Sequence, residues 1–171
     1  NRNADLISKI ENIILLFKDD MKMYFENADI FHIFKRNKRI LLFLFKNNII
    51  TVDEYIVKKI INWSSSHLHY IEYFLPEIKP FFDCQWFPNY ILKDEKIQKI
   101  PEDFEIKREN GENDNYICSL IRNDSIKEFI KYTNINSYDL NSYIDQSIYE
   151  TNLYLLNHST NLIEYSAFYG F

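Results

Sequence analysis

Glycine is almost missing from this chain: its 171 residues include only Gly111 and Gly170. Average proteins contain about 7% glycine. Neither glycine-rich phosphate-binding motif, G-x-x-x-x-G-K-[ST] or G-x-G-x-x-G, occurs in the sequence. Tight two-residue hairpins also depend on glycine at positive φ. The scarcity of glycine therefore argues against a nucleotide-binding loop and against a β architecture built from many hairpins.

Cysteine and histidine are also scarce. Cys84 and Cys118 form no C-x-x-C motif, and the four histidines show no spacing typical of a zinc site. Two isolated cysteines favour buried thiols in a reducing compartment, so we expect a cytoplasmic protein. Nothing in the sequence pairs a nucleophile with a base or two carboxylates at a useful spacing. We therefore expect a protein that is not an enzyme and uses neither a metal nor another cofactor.

Long apolar runs are missing as well. The longest, Ile40–Phe45, has six residues, whereas a membrane-spanning helix needs about 20, so no membrane span is expected. The net charge of −5 gives no general basis for binding nucleic acid.

One basic cluster stands out against this acidic background: Lys35, Arg36, Lys38 and Arg39. Such a cluster is typical of a solvated turn. The alternative is a docking site on a large cytoskeletal, microtubule-associated or ribonucleoprotein assembly. In that alternative the chain is a structural component of the assembly.

Apolar residues recur at helical spacing along most of the chain. Residues 4–26 and 29–47 form two such stretches, and the basic cluster interrupts the second. A third stretch runs through residues 51–75, where Pro76 and Pro80 should end it. Capping boxes, in which Ser or Thr is followed three residues later by Glu, predict three helix starts: Thr51–Glu54, Ser125–Glu128 and Ser147–Glu150.

Composition shifts predict three parts. Residues 1–100 form a helical N-terminal domain that ends in an irregular, aromatic-rich stretch containing all four prolines. Residues 101–115 are acidic and contain Gly111, which is typical of a linker. Residues 116–171 follow as further helices, beginning with a helix–turn–helix pattern at 116–133.

The C-terminal residues Asn161–Phe171 resemble the opening of an ankyrin repeat, whose pattern is T-P-L-H-x-A-A-x-x-G-H. Asn161 takes the place of the threonine, Ser166 and Ala167 the places of the two alanines, and Gly170 the place of the glycine. Small residues at the paired position allow ankyrin helices to approach closely.

Two positions depart from this pattern, because Leu162 replaces the proline and Glu164 the histidine. We expect this to remove the usual capping network. Residues 116–133 resemble an earlier, degenerate helix pair with Asp124 at the glycine position. Because 46 residues separate Asp124 from Gly170, against about 33 in a standard repeat, we expect an insertion near 134–159.

The runs Ile117–Ile130, Ser147–Asn152 and Leu162–Gly170 are similar to a large family of protist ankyrin-repeat proteins, in which a helical region of unknown function precedes the repeats. The resemblance implies an all-α fold, an irregular helical bundle followed by degenerate ankyrin-like helix pairs that are incomplete at the C-terminus. It also implies a non-catalytic protein–protein interaction or scaffold module whose partners are other proteins, alone or within a large complex. We expect the Tyr/Asn-rich residues of the insertion to bind them, namely Asn136, Tyr138, Asn141 and Tyr143.

Overall fold

The computed structural model describes residues 2–64 and 69–171. The chain divides into two compact units, Asn1–Ile100 and Pro101–Phe171. The regular structure of the described residues is helical, and one isolated antiparallel bridge joins Tyr143 to Asn161. The expected all-α fold is confirmed.

The first unit begins with its longer helices. The first apolar stretch is divided at Phe17, and the second is divided at the basic cluster, as its polar interruption predicts. Asn37 starts the helix after that interruption, because its side chain accepts the N–H of Ile40 at 3.0 Å. The helices are α1 (Arg2–Leu16), α2 (Lys18–Tyr24), α3 (Asn27–Phe34), α4 (Lys38–Lys46) and α5 (Glu54–Ser64).

The predicted capping box at Thr51 and Glu54 is wrong, because Asp53 caps α5. Its carboxylate accepts the N–H of Ile56 at 2.8 Å. A carboxylate is favoured at a helix N-terminus because it also interacts with the helix dipole. Thr51 instead exchanges two hydrogen bonds with the side chain of Asn27, at 2.8 Å and 2.6 Å. Thr51 thus ties the segment before α5 to the start of α3.

Short helical turns complete the first unit. Residues 65–68, within the third predicted stretch, lie outside the described residues. Pro76 does not end that stretch but lies in the first turn of a helix, where the missing N–H costs nothing. The turns are α6 (Tyr70–Tyr73), α7 (Leu75–Ile78), a 3₁₀ turn (Lys79–Phe81), α8 (Asn89–Leu92) and α9 (Glu95–Gln98).

The core of the first unit is formed mainly by α4, α5 and the residues around α6 and α7. Phe74 lies at its centre, with ring centroids 5.6 Å from Phe45 and 4.9 Å from Tyr73 in edge-on contacts. The irregular stretch packs against the same core through Phe87, Ile91 and Ile97.

The second unit contains α10 (Phe104–Asn110), α11 (Tyr116–Arg122), α12 (Ile126–Asn136), α13 (Leu153–Asn157) and α14 (Leu162–Tyr169). Helix α11 is central, since it packs against both α12 and α14. Its core comprises Ile117, Cys118, Leu120, Ile121, Phe129, Leu155, Leu162 and Tyr165.

The segment predicted as an acidic linker, 101–115, is folded and belongs to the second unit. Phe104 and Arg108 of α10 are buried, with the guanidinium carbon 5.4 Å from the ring centroid. Gly111 ends α10 in the left-handed conformation, at φ 67°. Its carbonyl accepts hydrogen bonds from the N–H and hydroxyl of Thr151, at 3.1 and 2.8 Å. The acidic composition that predicted a linker does not reveal that Phe104 and Arg108, four residues apart on α10, share one buried face.

The predicted capping box at Ser147 and Glu150 is also wrong. Ser147 is buried and donates to the carboxylate of Asp114 at 2.8 Å. The buried carboxylate of Glu150 accepts the N–H groups of Asn113 at 3.3 Å and Asn152 at 2.8 Å. Both residues therefore hold the loop before α13 against the segment after α10, and Asn152 caps α13.

Capping at the other helices of this unit also differs from expectation. Ser125 precedes α12 as predicted, but its side chain makes no capping hydrogen bond. The expected loss of capping at α14 is wrong. Asn161 accepts the N–H of Glu164 at 2.8 Å, and Glu164 accepts the N–H of Asn161 at 3.0 Å. A reciprocal capping box therefore takes the place of the ankyrin pattern's threonine and histidine.

Candidate protein-interaction surface

The end of α12 and the loop after it expose large apolar side chains. The exposed fractions are 69% for Ile135, 51% for Leu140 and 70% for Tyr143. Together with exposed Asn141, these residues are called the loop surface below. Large apolar side chains that are exposed along one short segment of chain are candidates for an interaction site.

The backbone beneath the loop surface is held by the start of α14. The N–H of Ile144 donates to Thr160 at 2.9 Å. The N–H groups of Leu162 and Ile163 donate to the carbonyls of Ser142 and Leu140, at 3.1 and 3.2 Å. Leu140 and Tyr143 are therefore presented on an ordered backbone, which lowers the entropic cost of binding.

The four residues predicted to bind partners differ in environment. Tyr143 is exposed as expected, and so are Asn136 and Asn141, although their side chains bond locally to Tyr132 and Asp139. Tyr138 is half-buried, and its ring stacks on Tyr132 at 6.0 Å. Tyr138 therefore contributes to packing.

Sequence reasoning missed Ile135 and Leu140, which are more apolar than the predicted residues. The signal that could have identified them is a large aliphatic residue isolated among polar ones, since such a residue has no neighbours along the chain to bury it with. Leu140 lies in such a segment, between Asp139 and Asn141.

The basic cluster is not a single exposed patch. Lys38 is 1% exposed, and its ammonium lies 4.9 Å from the ring centroid of Tyr73. Arg39 pairs with Glu11 at 3.5 Å. Only Arg36 of the four basic residues is fully exposed.

Lys35 completes the cluster and is half-buried. Its ammonium lies 3.2 Å from a ring nitrogen of His32, and its carbonyl accepts the hydroxyl of Tyr70 at 2.7 Å. Burial raises the pKa of Tyr70 above its usual range. The cluster therefore links α3 and α4 to the core. Basic residues with this structural role show the same sequence pattern as basic residues that dock a partner, so the sequence alone does not distinguish the two roles.

A cleft in the second unit has a volume of about 20 Å³, which is room for about one water molecule. Its walls are formed by residues that hold the loop before α13 in place and by the side of α14 that carries Tyr165. They include Asn113, Ser147, Glu150, His158, Thr160 and Tyr165.

A buried polar group joins α11 to α14 nearby. Arg122 donates to the hydroxyl of Tyr165 at 2.6 Å and pairs with Glu112 at 2.9 Å. Burial raises the pKa of the Cys118 thiol to about 12, so this thiol is protonated and unreactive at neutral pH. Burial also raises the pKa of Tyr165 above its usual range. The group is suited to holding two helices together.

Helices α11 and α14 share one local design. Asn115 and Asn161 cap them, and nine residues further on the chain reaches Asp124 and Gly170. Both of these residues have left-handed backbones, at φ 54° and 74°. Asp124 and Gly170 therefore share a left-handed backbone conformation.

Comparison with known proteins found no family model, no curated protein and no solved structure that matches the chain. Among the described side chains, no group of three or more His, Cys, Asp or Glu residues could hold a metal ion. Within residues 2–64 and 69–171, no helix combines the length and apolar character needed to cross a membrane.

Proposed function

We propose that the chain is a non-catalytic protein-interaction module. In this proposal the second unit consists of degenerate ankyrin-like repeats, incomplete at the C-terminus, and binds another protein through the loop surface. The observation that carries it is the common design of α11 and α14, which pack against each other, begin after an asparagine cap and are followed by a left-handed residue nine positions after that cap. First helices of neighbouring repeats pack in this way in stacked repeat proteins.

The loop surface supports the proposal by its chemistry. Tyrosine is enriched at binding hot spots because it buries a large rigid area and keeps a hydroxyl for hydrogen bonding. Tyr143 and the aliphatic Leu140 lie three residues apart on one segment, whose backbone is hydrogen-bonded to the start of α14. A partner with a small apolar depression rimmed by hydrogen-bonding groups fits this surface.

Two observations favour binding over catalysis. The cleft has room for about one water molecule, and the Cys118 thiol beside the α11–α14 contact is protonated at neutral pH.

Both cysteines are free thiols, which favours a reducing, cytoplasmic location.

The test compares the full chain with matched variants in affinity purification, followed by binding measurements on each recovered partner. The double variant Leu140→Asp, Tyr143→Asp places two charges on the loop surface. The control Ile106→Asp places a charge at an equally exposed position of α10 in the same unit. We expect affinity to fall at least about tenfold in the double variant, as for loss of one hot spot, and to remain unchanged in the control.

A further variant, Lys35→Glu with Arg36→Glu, tests the alternative of docking through the basic cluster without disturbing buried Lys38. We expect it to bind like the unaltered chain. Binding that survives the double aspartate change but is lost on this charge reversal would overturn the proposal in favour of that alternative.

A further inference from the structure

One asparagine of this chain precedes a glycine: Asn110, the last residue of α10, is followed by Gly111. An asparagine deamidates when the next backbone nitrogen attacks its side-chain carbonyl carbon and ammonia leaves. A side chain on the following residue hinders this attack, and glycine has none. Asn110 is therefore the asparagine whose neighbour hinders deamidation least.

The two reacting groups differ in exposure. Asn110 is exposed, whereas Gly111 is buried. The N–H of Gly111 donates to the carbonyl of Lys107 at 3.1 Å. This nitrogen becomes a nucleophile only after it has lost its proton to a base from solvent, and the fold holds that proton in a buried hydrogen bond. The folded end of α10 therefore keeps the attacking nitrogen unreactive.

A contact from far along the chain secures this end of the helix. The N–H and the hydroxyl of Thr151 donate to the carbonyl of Gly111 at 3.1 and 2.8 Å. Freeing the nitrogen requires the backbone at Gly111 to turn away from Lys107, and the two bonds from Thr151 oppose that movement. Helix ends open more readily than a whole fold, so opening of this one turn sets the rate of the reaction.

We propose that Asn110 is a deamidation site whose reaction is controlled by local opening of the last turn of α10. In the open state the Gly111 nitrogen loses its proton and bonds to the side-chain carbonyl carbon of Asn110. The bond from that carbon to Nδ2 breaks, and the amide group leaves with a proton as ammonia. The product is a cyclic imide, which water opens at one of its two carbonyls to give aspartate or isoaspartate.

Isoaspartate changes the chain at the point where Gly111 is anchored. Its main chain runs through the former side chain, which adds one methylene group before Gly111. It also places a carboxylate at the C-terminal end of α10, where the helix dipole disfavours negative charge. We expect that the bonds from Gly111 to Lys107 and Thr151 do not form again, so the last turn of α10 stays open after the reaction.

Peptide mapping by mass spectrometry tests the site in the full chain, incubated at physiological pH and temperature. We expect Asn110, localised by fragmentation, to gain the mass difference between asparagine and aspartate and to include isoaspartate. In guanidinium chloride the rate should rise at least about tenfold, because the unfolded chain lacks the hydrogen bonds that hold Gly111.

A matched pair of variants tests the role of the distant contact. Thr151→Val removes the hydroxyl bond to Gly111 and keeps the shape of the side chain. It should raise the rate in the folded chain about fivefold, the factor that corresponds to one hydrogen bond. Thr133→Val is the control and should leave the rate unchanged, because the Thr133 hydroxyl donates to carbonyls of its own helix, α12.

Hydrogen exchange of the purified isoaspartate form measures the consequence. The Gly111 amide should exchange faster than in the unaltered chain. In Asn110→Asp, which has the charge without the added methylene group, it should still exchange slowly. The proposal is overturned if Asn110 stays unmodified in guanidinium chloride, if it reacts equally fast in the folded chain, or if Thr151→Val reacts no faster than Thr133→Val. Slow exchange of Gly111 in the isoaspartate form overturns it as well.

Discussion

The Tyr165 hydroxyl is the smallest group whose removal tests how α11 and α14 are joined. Tyr165→Phe keeps the buried ring and removes the oxygen that accepts the Arg122 hydrogen bond at 2.6 Å. Hydrogen bonds to charged groups contribute about 1.5–3 kcal/mol. Because Arg122 keeps its ion pair with Glu112 at 2.9 Å, we expect the lower half of that range, about 1.5–2 kcal/mol.

Urea unfolding can measure this loss in the second unit. Both tryptophans, Trp63 and Trp86, belong to the first unit, so their fluorescence follows that unit. Far-UV circular dichroism follows both units. For a unit of this size, with a urea slope of about 1 kcal/mol/M, Tyr165→Phe should lower the midpoint of the second unit by about 1.5–2 M. The tryptophan transition should stay in place.

A double-mutant cycle with Arg122→Leu isolates the pair. Tyr165→Phe should cost less in the Arg122→Leu background than in the unaltered chain, because the charged donor is already missing. Tyr143→Phe is the control, since that hydroxyl lies on an exposed side chain. The same loss in both backgrounds, or a loss below about 0.5 kcal/mol in the unaltered chain, would refute the assignment of this bond as the link between the helices.

Other changes have equally definite expectations. Gly170→Ala should lower the free energy of unfolding by about 1 kcal/mol in urea titration, because φ is 74° and an added Cβ meets no atom within 4 Å; a loss above about 3 kcal/mol would show a packing role instead. Lys38→Glu should cost at least about 3 kcal/mol by tryptophan fluorescence, since it buries an unpaired anion, whereas exposed Arg36→Glu should change stability by less than about 0.5 kcal/mol. Raising the pH from about 8.5 to about 10 should destabilise the second unit by up to about 1.4 kcal/mol per pH unit, because the unfolded Cys118 thiol ionises in this range and the folded one only near pH 12; above about pH 10 the buried tyrosines Tyr165 and Tyr169 add to the slope. Cys118→Ala should remove the slope below about pH 10 and Cys84→Ala should retain it; an unchanged slope in Cys118→Ala would assign the slope to other groups.

Helical periodicity predicts the helical stretches of α1 to α5 and the break at the basic cluster, whereas the short helices α8 and α9 lie in the stretch predicted to be irregular. The same information does not show which of several nearby polar residues caps a helix. Thr51 was therefore predicted to cap α5, although the carboxylate of Asp53 forms the cap. Sequence spacing also does not show that Lys38 faces tyrosine rings rather than water. From the same position on a helix, a long lysine side chain can extend either into solvent or along the protein surface to a neighbouring ring.

The segment 101–115 shows a different limit. Most of its acidic side chains are exposed while Phe104 and Arg108 are buried, and the ring of Tyr149, far along the chain, lies 5.7 Å from that of Phe104. Two members of the loop surface, Tyr143 and Asn141, are among the residues predicted from the sequence to bind partners. The exposed position of Leu140 depends on a backbone that is hydrogen-bonded to α14. The pattern of neighbouring residues in the sequence does not reveal those bonds.

The bonds that hold the segment after α10 also set an order of events during folding. They join residues 37 apart between Asn113 and Glu150 and 40 apart between Gly111 and Thr151. Closing loops of this length costs more entropy than pairing α11 with α12, which are neighbours in the chain. The helix pair can therefore form first, and α10, although synthesised earlier, becomes secured only when Glu150 and Thr151 have been added. The beginning of the second unit therefore becomes native only after the loop before α13 is in place.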